Sequence, residues 1–402
     1  MTRPRASSAM QGSSRLIIEA VVGVTDIVEA MHRNIAGLAP IVGRSRQGGT
    51  RGITGLVYRS VRGIARTVGG ALDIGLGQLA SRLALPRATR RGDAVLAALN
   101  GVLGDHLAAT GNPLATAMTL RTGGRALPLQ ADGLARAIER PSSRLIILVH
   151  GLCMNDRQWQ RNGHDHGAAL AGAHRANALY LRYNSGLHIA SNGREFAGQL
   201  ERLVRFWPVP VRELVIIGHS MGGLVARSAC HCAEQEGQVW LRHLRHLIFL
   251  GTPHLGAPLE RAGHWLQRLL EVSPYTAPLA RLGSIRSAGI MDLRHGVLVE
   301  GTVGAAGGKR ERGAAATHLP LPGRVRCHAI AASTQARPGA NLARLRGDGL
   351  VPVASALGQH ADPARSLAFP AGHRHICFGV DHLGLLDSRE ACERMRQWLA
   401  GD

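Results

Sequence analysis

Six apolar runs, separated by helical segments, constrain most strongly what this chain can fold into. The runs occupy residues 144–151, 178–184, 213–220, 246–253, 324–334 and 374–380. Strands that alternate with helices predict βαβ units and a mostly parallel sheet covered by helices on both faces. Two earlier segments, 114–121 and 125–130, predict a hairpin. We therefore expect one α/β domain over residues 113–402.

The third run ends in a motif that matches the G-x-S-x-G nucleophile elbow. The sequence VIIGHSMGGLVARSA (215–229) places Ser220 between Gly218 and Gly222, where a buried strand gives way to a helix. Glycines remove the Cβ atoms that would clash in so tight a turn. Amide groups and the dipole at the helix N-terminus favour negative charge beside the hydroxyl. The motif predicts Ser220 as a nucleophile; the alternative is a serine that only caps the helix.

Two backbone N–H groups are predicted to bind the oxyanion. The sequence LIILVHGLCMNDRQW (145–159) is a buried strand that ends in an HG loop, and the next N–H of such a loop points at the oxyanion. That donor would be Leu152, paired with Met221 after the serine. Removing one such donor typically costs about 3 kcal/mol of transition-state stabilisation. His150 is predicted to stiffen the loop rather than to act as a base.

The orienting acid is predicted to be Asp348. It lies in a GDG turn after the run at 324–334. An aspartate in such a turn is usually only a turn former, but its position after the penultimate strand favours the orienting acid. Asp292 and Glu300 lie in a less regular insert and are weaker candidates.

The base is predicted to be His382, which directly follows the last apolar run. His375 would lie at the start of that strand, at the wrong end of the sheet. The order Ser220, Asp348, His382 is that of a Ser–Asp–His triad in this type of fold. In such a triad the histidine takes the serine proton, the aspartate fixes the imidazole tautomer, and water resolves an acyl-enzyme.

No cofactor and no metal are predicted. The segments HDH (164–166) and HRH (373–375) have no suitably spaced Cys or Glu partner, so we interpret them as surface histidines. The six cysteines form no C-x-x-C pair, and five of them are interpreted as reduced core thiols.

Residues 1–112 are predicted to form an N-terminal helical extension, partly disordered, with amphipathic stretches at 15–37, 53–84 and 94–110. The chain has a net charge of +21, and residues 1–91 carry 14 arginines against 4 acidic residues. Basic amphipathic helices can contact anionic membranes, although packing on one another or on the α/β domain is favoured. No basic run with interleaved aromatics indicates nucleic-acid binding.

A cytoplasmic location, with peripheral membrane contact as an option, is the expectation. The acidic residues Glu19 and Asp26 interrupt the N-terminal apolar stretch, which argues against a signal peptide. No run approaches the length of a spanning helix, about 18 uncharged apolar residues.

The chain resembles α/β-hydrolases of the lipase/esterase type, and among them bacterial relatives of the GPI inositol-deacylase and triacylglycerol-lipase group. Five motifs within residues 113–402 carry the resemblance: LVHGLCMN, VIIGHSMGGLVAR, FLGTPHLGAPLER, GDGLVPVASA and DHLGLL. The resemblance implies a serine hydrolase of lipid-like or otherwise apolar carboxylic esters, with Ser220, Asp348 and His382 as triad and no cofactor. A thioesterase or amidase, and a non-catalytic binding protein with the same fold, remain alternatives.

One departure from the pattern is a long insert, residues 259–323, between the fourth and fifth apolar runs. In lipases such an insert can act as a lid over the acyl groove. The alternative is an ornament that faces solvent.

Overall fold

In a computed structural model of the chain, the described residues are 90–256, 287–299, 319–336 and 346–401. The chain divides into two units, Met1–Ala88 with Leu107–Ala115, and Thr89–His106 with Thr116–Asp402. The second unit holds the sheet and the candidate site. The helices predicted at 15–37 and 53–84, and most of the predicted insert, lie outside the described residues. The boundary at residue 112 stays a prediction.

The elements of the described residues alternate along the chain as the apolar runs predict. The strands are β1 (Thr119–Thr122), β2 (Arg125–Ala126), β3 (Arg144–Val149), β4 (Asn177–Arg182), β5 (Glu213–His219), β6 (Leu244–Leu250), β7 (Arg326–Ser333) and β8 (Arg374–Phe378). The α-helices are α1 (Arg90–Ala109), α2 (Ala131–Ala137), α3 (His166–His174), α4 (Ile189–Phe206), α5 (Met221–Glu236), α6 (Ala288–His295), α7 (Val353–Ala356) and α8 (Arg389–Ala400). Short 3₁₀ helices occupy Asp156–Trp159, Val239–Arg242, Pro363–Arg365, Ala371–His373 and Gly384–Leu386.

The strands form one eight-stranded sheet in the order β2-β1-β4-β3-β5-β6-β7-β8. Strand β1 runs antiparallel to β2 and β4, and all other neighbours are parallel. All six apolar runs form strands, and the predicted hairpin forms at the sheet edge. The predicted fold class, an α/β-hydrolase fold, is therefore confirmed.

Alternate residues of the central strands feed two separate apolar layers. Ile147 and Ile216 lie in the layer covered by α4 and α5, whereas Leu148 and Ile217 lie in the layer covered by α3 and α8. Side chains of a strand point alternately to its two faces, so a strand buried on both sides must be apolar at every position. This explains why the runs are continuous rather than alternating.

Helix α1, which covers the stretch predicted at 94–110, contacts loops at one edge of the sheet unit. A Cβ on Gly101 would lie 2.8 Å from Cα of Cys153, so only glycine permits this approach of the helix to the HG loop. The carbonyl of Gly104 accepts a hydrogen bond from Asn184 Nδ2 at 2.8 Å, and Asp105 Oδ2 accepts one from the N–H of Ala288 at 2.8 Å. The segment 90–106 is thus built into the unit that carries the candidate site.

Helix α6 is the described part of the insert, together with residues up to 299 and from 319. Ser287 caps the helix, because its Oγ accepts a hydrogen bond from the N–H of Ile290. On this helix Asp292 accepts hydrogen bonds from His188 Nδ1 and the N–H of Ile189, each at 2.9 Å. Asp292 therefore stabilises the first turn of α4. Residues 259–286 and 300–318 of the insert lie outside the described residues, so the lid stays a prediction.

No α-helix in the described ranges has the length and apolarity needed to cross a membrane.

Candidate active site

The elbow between β5 and α5 holds Ser220 in a backbone conformation that few side chains adopt. Its φ is 53° and its ψ is −125°, a strained combination for a non-glycine residue. A Cβ on Gly218 would lie 2.5 Å from Cα of Gly223, and one on Gly222 would lie 2.5 Å from the His150 carbonyl oxygen. The glycines are needed because α5 begins directly against the ends of β3 and β5.

Asp348 and His382 form a buried hydrogen-bonded pair. His382 Nδ1 lies 2.7 Å from Asp348 Oδ2, and both side chains are almost completely buried. The other carboxylate oxygen, Oδ1, accepts hydrogen bonds from the N–H groups of Leu350 and Val351, at 2.9 and 2.7 Å. The backbone joins the two residues as well, since the His382 N–H donates to the Asp348 carbonyl at 3.0 Å. The imidazole is therefore held with Nδ1 toward the acid.

The His382–Asp348 pair lies beside the elbow. A Cβ on Gly251, at the end of β6, would lie 3.2 Å from Asp348 Oδ2 and 3.3 Å from His382 Cε1. Gly251 has a φ of 56°, and the N–H of Ser220 donates to the carbonyl of the preceding Leu250 at 2.8 Å. Among the described residues, no hydrogen bond joins the Ser220 hydroxyl to His382. Such bonds are often long without substrate and shorten in the reacting complex.

His219, which precedes the serine, contacts His382, the predicted base. Its Nε2 lies 3.0 Å from the His382 carbonyl oxygen, and the two ring centroids are 4.7 Å apart. Burial, reinforced by the neighbouring His382, holds the pKa of His219 well below its usual value. The ring is therefore neutral and donates from Nε2 to the His382 backbone. The sequence placed His219 inside the elbow motif, but gave no indication of this contact.

The HG loop after β3 carries the predicted oxyanion donor Leu152. Within the described chain, neither the Leu152 N–H nor the Met221 N–H has a protein acceptor. The next residue, Cys153, has a φ of 60° and donates its N–H to Ser185 Oγ at 3.0 Å. Burial raises the pKa of the Cys153 thiol to about 12, so it stays protonated at neutral pH.

His150 stiffens this loop, as predicted. Its Nδ1 lies 2.8 Å from the Gly151 carbonyl oxygen, and its ring stacks on Tyr183 with centroids 4.3 Å apart. The Tyr183 hydroxyl donates to the His150 carbonyl at 2.8 Å. Burial lowers the pKa of His150 to about 4, so the imidazole is neutral.

A buried ion-pair network fixes the far end of the loop, and the sequence analysis did not identify it. Asp156 accepts hydrogen bonds from Nε of Arg121, at 3.0 Å, and from Nε of Arg182. Asp93 of α1 joins the network through Arg182 Nη2 at 3.1 Å and Arg157 Nε at 3.2 Å. Buried ion pairs of this kind are stabilising only while every charge keeps its partner, because removing one partner leaves an uncompensated buried charge. No local pattern could have shown it, because its members come from four separate segments.

The interpretation of HDH as surface histidines is wrong for His166, which is fully buried. Its Nε2 lies 2.8 Å from the Leu385 carbonyl oxygen, in the loop that follows His382. His166 is the first residue of α3, and the helix turns this position toward α8 and the sheet. By contrast, His375 lies at the start of β8, as predicted, and pairs with Glu390 at 2.7 Å.

Comparisons with known proteins agree with the fold. Residues 140–311 match the family model described as the PGAP1-like alpha/beta domain. This segment contains the elbow and the HG loop, but not Asp348 or His382. Together with the sheet topology, the match agrees with an α/β-hydrolase fold. No curated protein matches the chain in sequence.

Several solved structures are similar at low identity. The mature lipase BlEst2 of Bacillus licheniformis is 17% identical with a TM-score of 0.41, over 65% of this chain and 94% of that one. Lipase B of Aspergillus fumigatus is 14% identical with a TM-score of 0.38, over 70% of this chain and 60% of that one. An esterase of Pyrobaculum calidifontis is 14% identical with a TM-score of 0.38, over 65% and 76%.

Proposed function

We propose that the chain is a serine hydrolase that cleaves carboxylic esters of lipid-like or otherwise apolar substrates. Ser220 is the nucleophile, His382 the general base and acid, and Asp348 the orienting acid. The single observation that carries the proposal is the buried His382–Asp348 pair, 2.7 Å long, beside a serine in a strained elbow. Strain and buried charge are costly, and they persist where a function requires them.

The reaction follows from the roles of these groups. The Asp348 carboxylate accepts a hydrogen bond from Nδ1–H of His382, and this tautomer leaves the Nε2 lone pair free to take the proton of Ser220 as Oγ attacks the ester carbonyl. The tetrahedral oxyanion is stabilised by the N–H groups of Leu152 and Met221. His382 then gives the proton to the leaving alcohol, and an ester forms between Ser220 and the acyl group. Water attacks this acyl-enzyme by the same route in reverse.

Two features favour ester chemistry at the serine over a purely structural role. A helix-capping serine would accept a hydrogen bond from its own helix, but Ser220 makes no side-chain cap to α5. The Cys153 thiol, with its raised pKa, does not compete as a nucleophile. An apolar substrate is proposed on the resemblance to lipases and esterases; a thioester or amide would use the same groups.

A fluorophosphonate probe tests the nucleophile directly. We expect covalent labelling of the full-length chain and none of Ser220→Ala. Ser228→Ala is the matched control, because Ser228 lies on the same helix, is buried, and donates to the Leu298 carbonyl at 2.7 Å. Labelling that survives in Ser220→Ala, or absence of labelling in the parent chain, would favour a non-catalytic binding protein.

A series of p-nitrophenyl esters from acetate to palmitate tests the substrate class. A maximum at long acyl chains supports the lipid-like substrate, and a maximum at acetate indicates a plain esterase. Faster turnover of a matched acyl thioester or anilide would instead assign a thioesterase or an amidase to the same triad.

A further inference from the structure

A cluster of three potential metal ligands lies outside the proposed triad. His164, His166 and Cys392 each offer one ligand atom to the same space, and these atoms lie within 4.8 Å of one another. The first two come from the HDH segment, and the third comes from α8, more than 200 positions along the chain. No third ligand stands near HDH in the sequence, which is why its histidines were interpreted as surface residues. In the folded chain, Cys392 of α8 provides this third ligand.

The two histidine ligands are held in place before any ion binds. His164 closes a tight hairpin with Arg161, and the turn residues Asn162 and Gly163 have φ of 47° and 77°. Two positive φ angles and an Asn-Gly pair define a rigid type I′ turn. His166 starts α3, behind the N-cap Asp165. Ligands on such elements lose little freedom on binding a metal.

The hydrogen bond of His166 Nε2 leaves Nδ1 unprotonated, with a lone pair that can bind a metal ion. Its Nε2 carries the proton and donates to the Leu385 carbonyl at 2.8 Å. An outer hydrogen bond from the second ring nitrogen to a carbonyl is the usual arrangement around a metal-bound histidine. The Nδ1 atom instead faces His164 Nε2 at 2.9 Å. A tetrahedral zinc ion with bonds of about 2.0–2.1 Å needs its two nitrogens about 3.3 Å apart, so a small opening admits the ion.

Charges of both signs lie near the cluster: Asp387 pairs with Arg161 at 3.5 Å and Arg396 acts on Cys392, whereas Asp165 has no arginine partner among the described ion pairs. Asp165 and Asp387 both act electrostatically on His166, and Asp165 also acts on Cys392. Asp165 accepts hydrogen bonds from the N–H of Ala168 and the hydroxyl of Tyr180, at 3.0 and 2.7 Å. The fixed carboxylate of Asp165 favours a cation at this position.

We propose that His166 Nδ1, His164 Nε2 and Cys392 Sγ bind one zinc ion, with water as the fourth ligand. Two imidazoles and a thiolate are the ligand types that Zn²⁺ prefers over Mg²⁺ or Ca²⁺. On binding, Cys392 releases its thiol proton to solvent, and the Nε2 proton of His164 moves to Nδ1, so that both lone pairs face the metal.

The zinc ion would connect three segments around the proposed base. It would join the hairpin at 161–164, the start of α3 and helix α8. His166 also holds Leu385, whose N–H donates to the carbonyl of Asp381, next to His382. A zinc ion at this position would therefore tighten the loop that carries His382. Zinc binding does not depend on Ser220 or on ester hydrolysis, so it can be tested separately from the proposed function.

Metal content and cobalt spectra test the site on the full-length chain without a histidine tag. We expect about one zinc per chain after zinc loading and removal of free metal, and a higher unfolding temperature that EDTA reverses. Loading with Co²⁺ should give a thiolate-to-cobalt charge-transfer band. Cys392→Ser should abolish that band, and both Cys392→Ser and His164→Gln should lose the zinc.

Two control variants separate this cluster from others. Cys232→Ser changes another half-buried helical cysteine and should keep the zinc and the cobalt band. His375→Gln changes a second possible cluster, with Cys377 and Glu390, in which His375 is already paired with the exposed Glu390. A parent chain without zinc, a cobalt band that survives in Cys392→Ser, or zinc lost only in His375→Gln would overturn the proposal. If Cys392→Ser does not fold, His164→Gln in its half-buried surface hairpin gives the answer.

Discussion

Replacing Asp348 by asparagine tests whether Asp348 is an orienting acid or only a turn residue. In the structure Oδ1 accepts the N–H groups of Leu350 and Val351, whereas Oδ2 faces His382 Nδ1. The single amide oxygen of the introduced asparagine can replace only one of these two atoms. Keeping the two turn hydrogen bonds places the oxygen at Oδ1, and the NH₂ group then faces His382.

That orientation puts the wrong tautomer on the base. An NH₂ group cannot accept a hydrogen bond from Nδ1–H. His382 must therefore accept a hydrogen bond at Nδ1 and carry its own proton on Nε2. Nε2 then cannot accept the proton of Ser220. The same substitution in a serine-protease triad lowers kcat about 10⁴-fold. We expect a loss of that size here, which corresponds to about 5.4 kcal/mol of activation free energy.

The assay is hydrolysis of the best p-nitrophenyl ester by parent and Asp348→Asn, with thermal unfolding measured on both. The unfolding temperature should change little, because both turn hydrogen bonds survive. Asp292→Asn is the control: it weakens the contacts to His188 and the Ile189 N–H, so it should lower stability and leave kcat within about threefold. A kcat for Asp348→Asn within about tenfold of the parent would refute the reasoning and make Asp348 a turn former.

Three further changes test other parts of the structure. Gly222→Ala should destabilise the fold and abolish activity, because the added Cβ would lie 2.5 Å from the His150 carbonyl oxygen. Gly198→Ala in α4 is the control: its Cβ meets open space, and alanine favours a helix more than glycine does, so the denaturant midpoint should rise. Asp156→Asn leaves the buried Arg121 without its ion-pair partner and Arg182 with Asp93 alone, and should cost about 3–5 kcal/mol of unfolding free energy, measured in urea. Burial lowers the pKa of His246 to about 4 and that of His328 to about 3. In the unfolded chain these histidines bind protons below their ordinary pKa of 6.5, so the free energy of unfolding should fall as the pH drops from 6.5 toward 4. A denaturant midpoint that stays unchanged between about pH 7 and pH 5 would contradict this.

The sequence predicted those parts of the site that backbone sterics encode locally. A parallel strand buried on both faces requires a continuous apolar run, and each such run became a strand. The elbow requires glycines where two backbones meet, and Gly218 and Gly222 stand there. The predicted acid and the predicted base could be ordered along the chain because each follows a strand.

The parts that the sequence did not predict are contacts between distant segments. The His166 ring meets the Leu385 carbonyl across 219 positions, and nothing near HDH marks that residue as buried. The pairing of Arg121 with Asp156 likewise depends on where β1 joins the sheet. The histidine count of 20 hid the difference between exposed and buried rings, because residue type alone does not encode burial.

The environments of the histidines around the elbow favour His382 as the proposed base. Burial holds the pKa of His150 and His166 at about 4, and that of His219 and His254 lower than usual, so all four rings are neutral at physiological pH. A positive charge on any of them would oppose the imidazolium that the proposed reaction forms on His382. Only His382 has a carboxylate on its Nδ1, with that carboxylate fixed by two N–H groups, among the described histidines of this cluster. The site therefore concentrates the capacity to carry a transient positive charge on one ring, which is the electrostatic condition that a general base next to Ser220 has to meet.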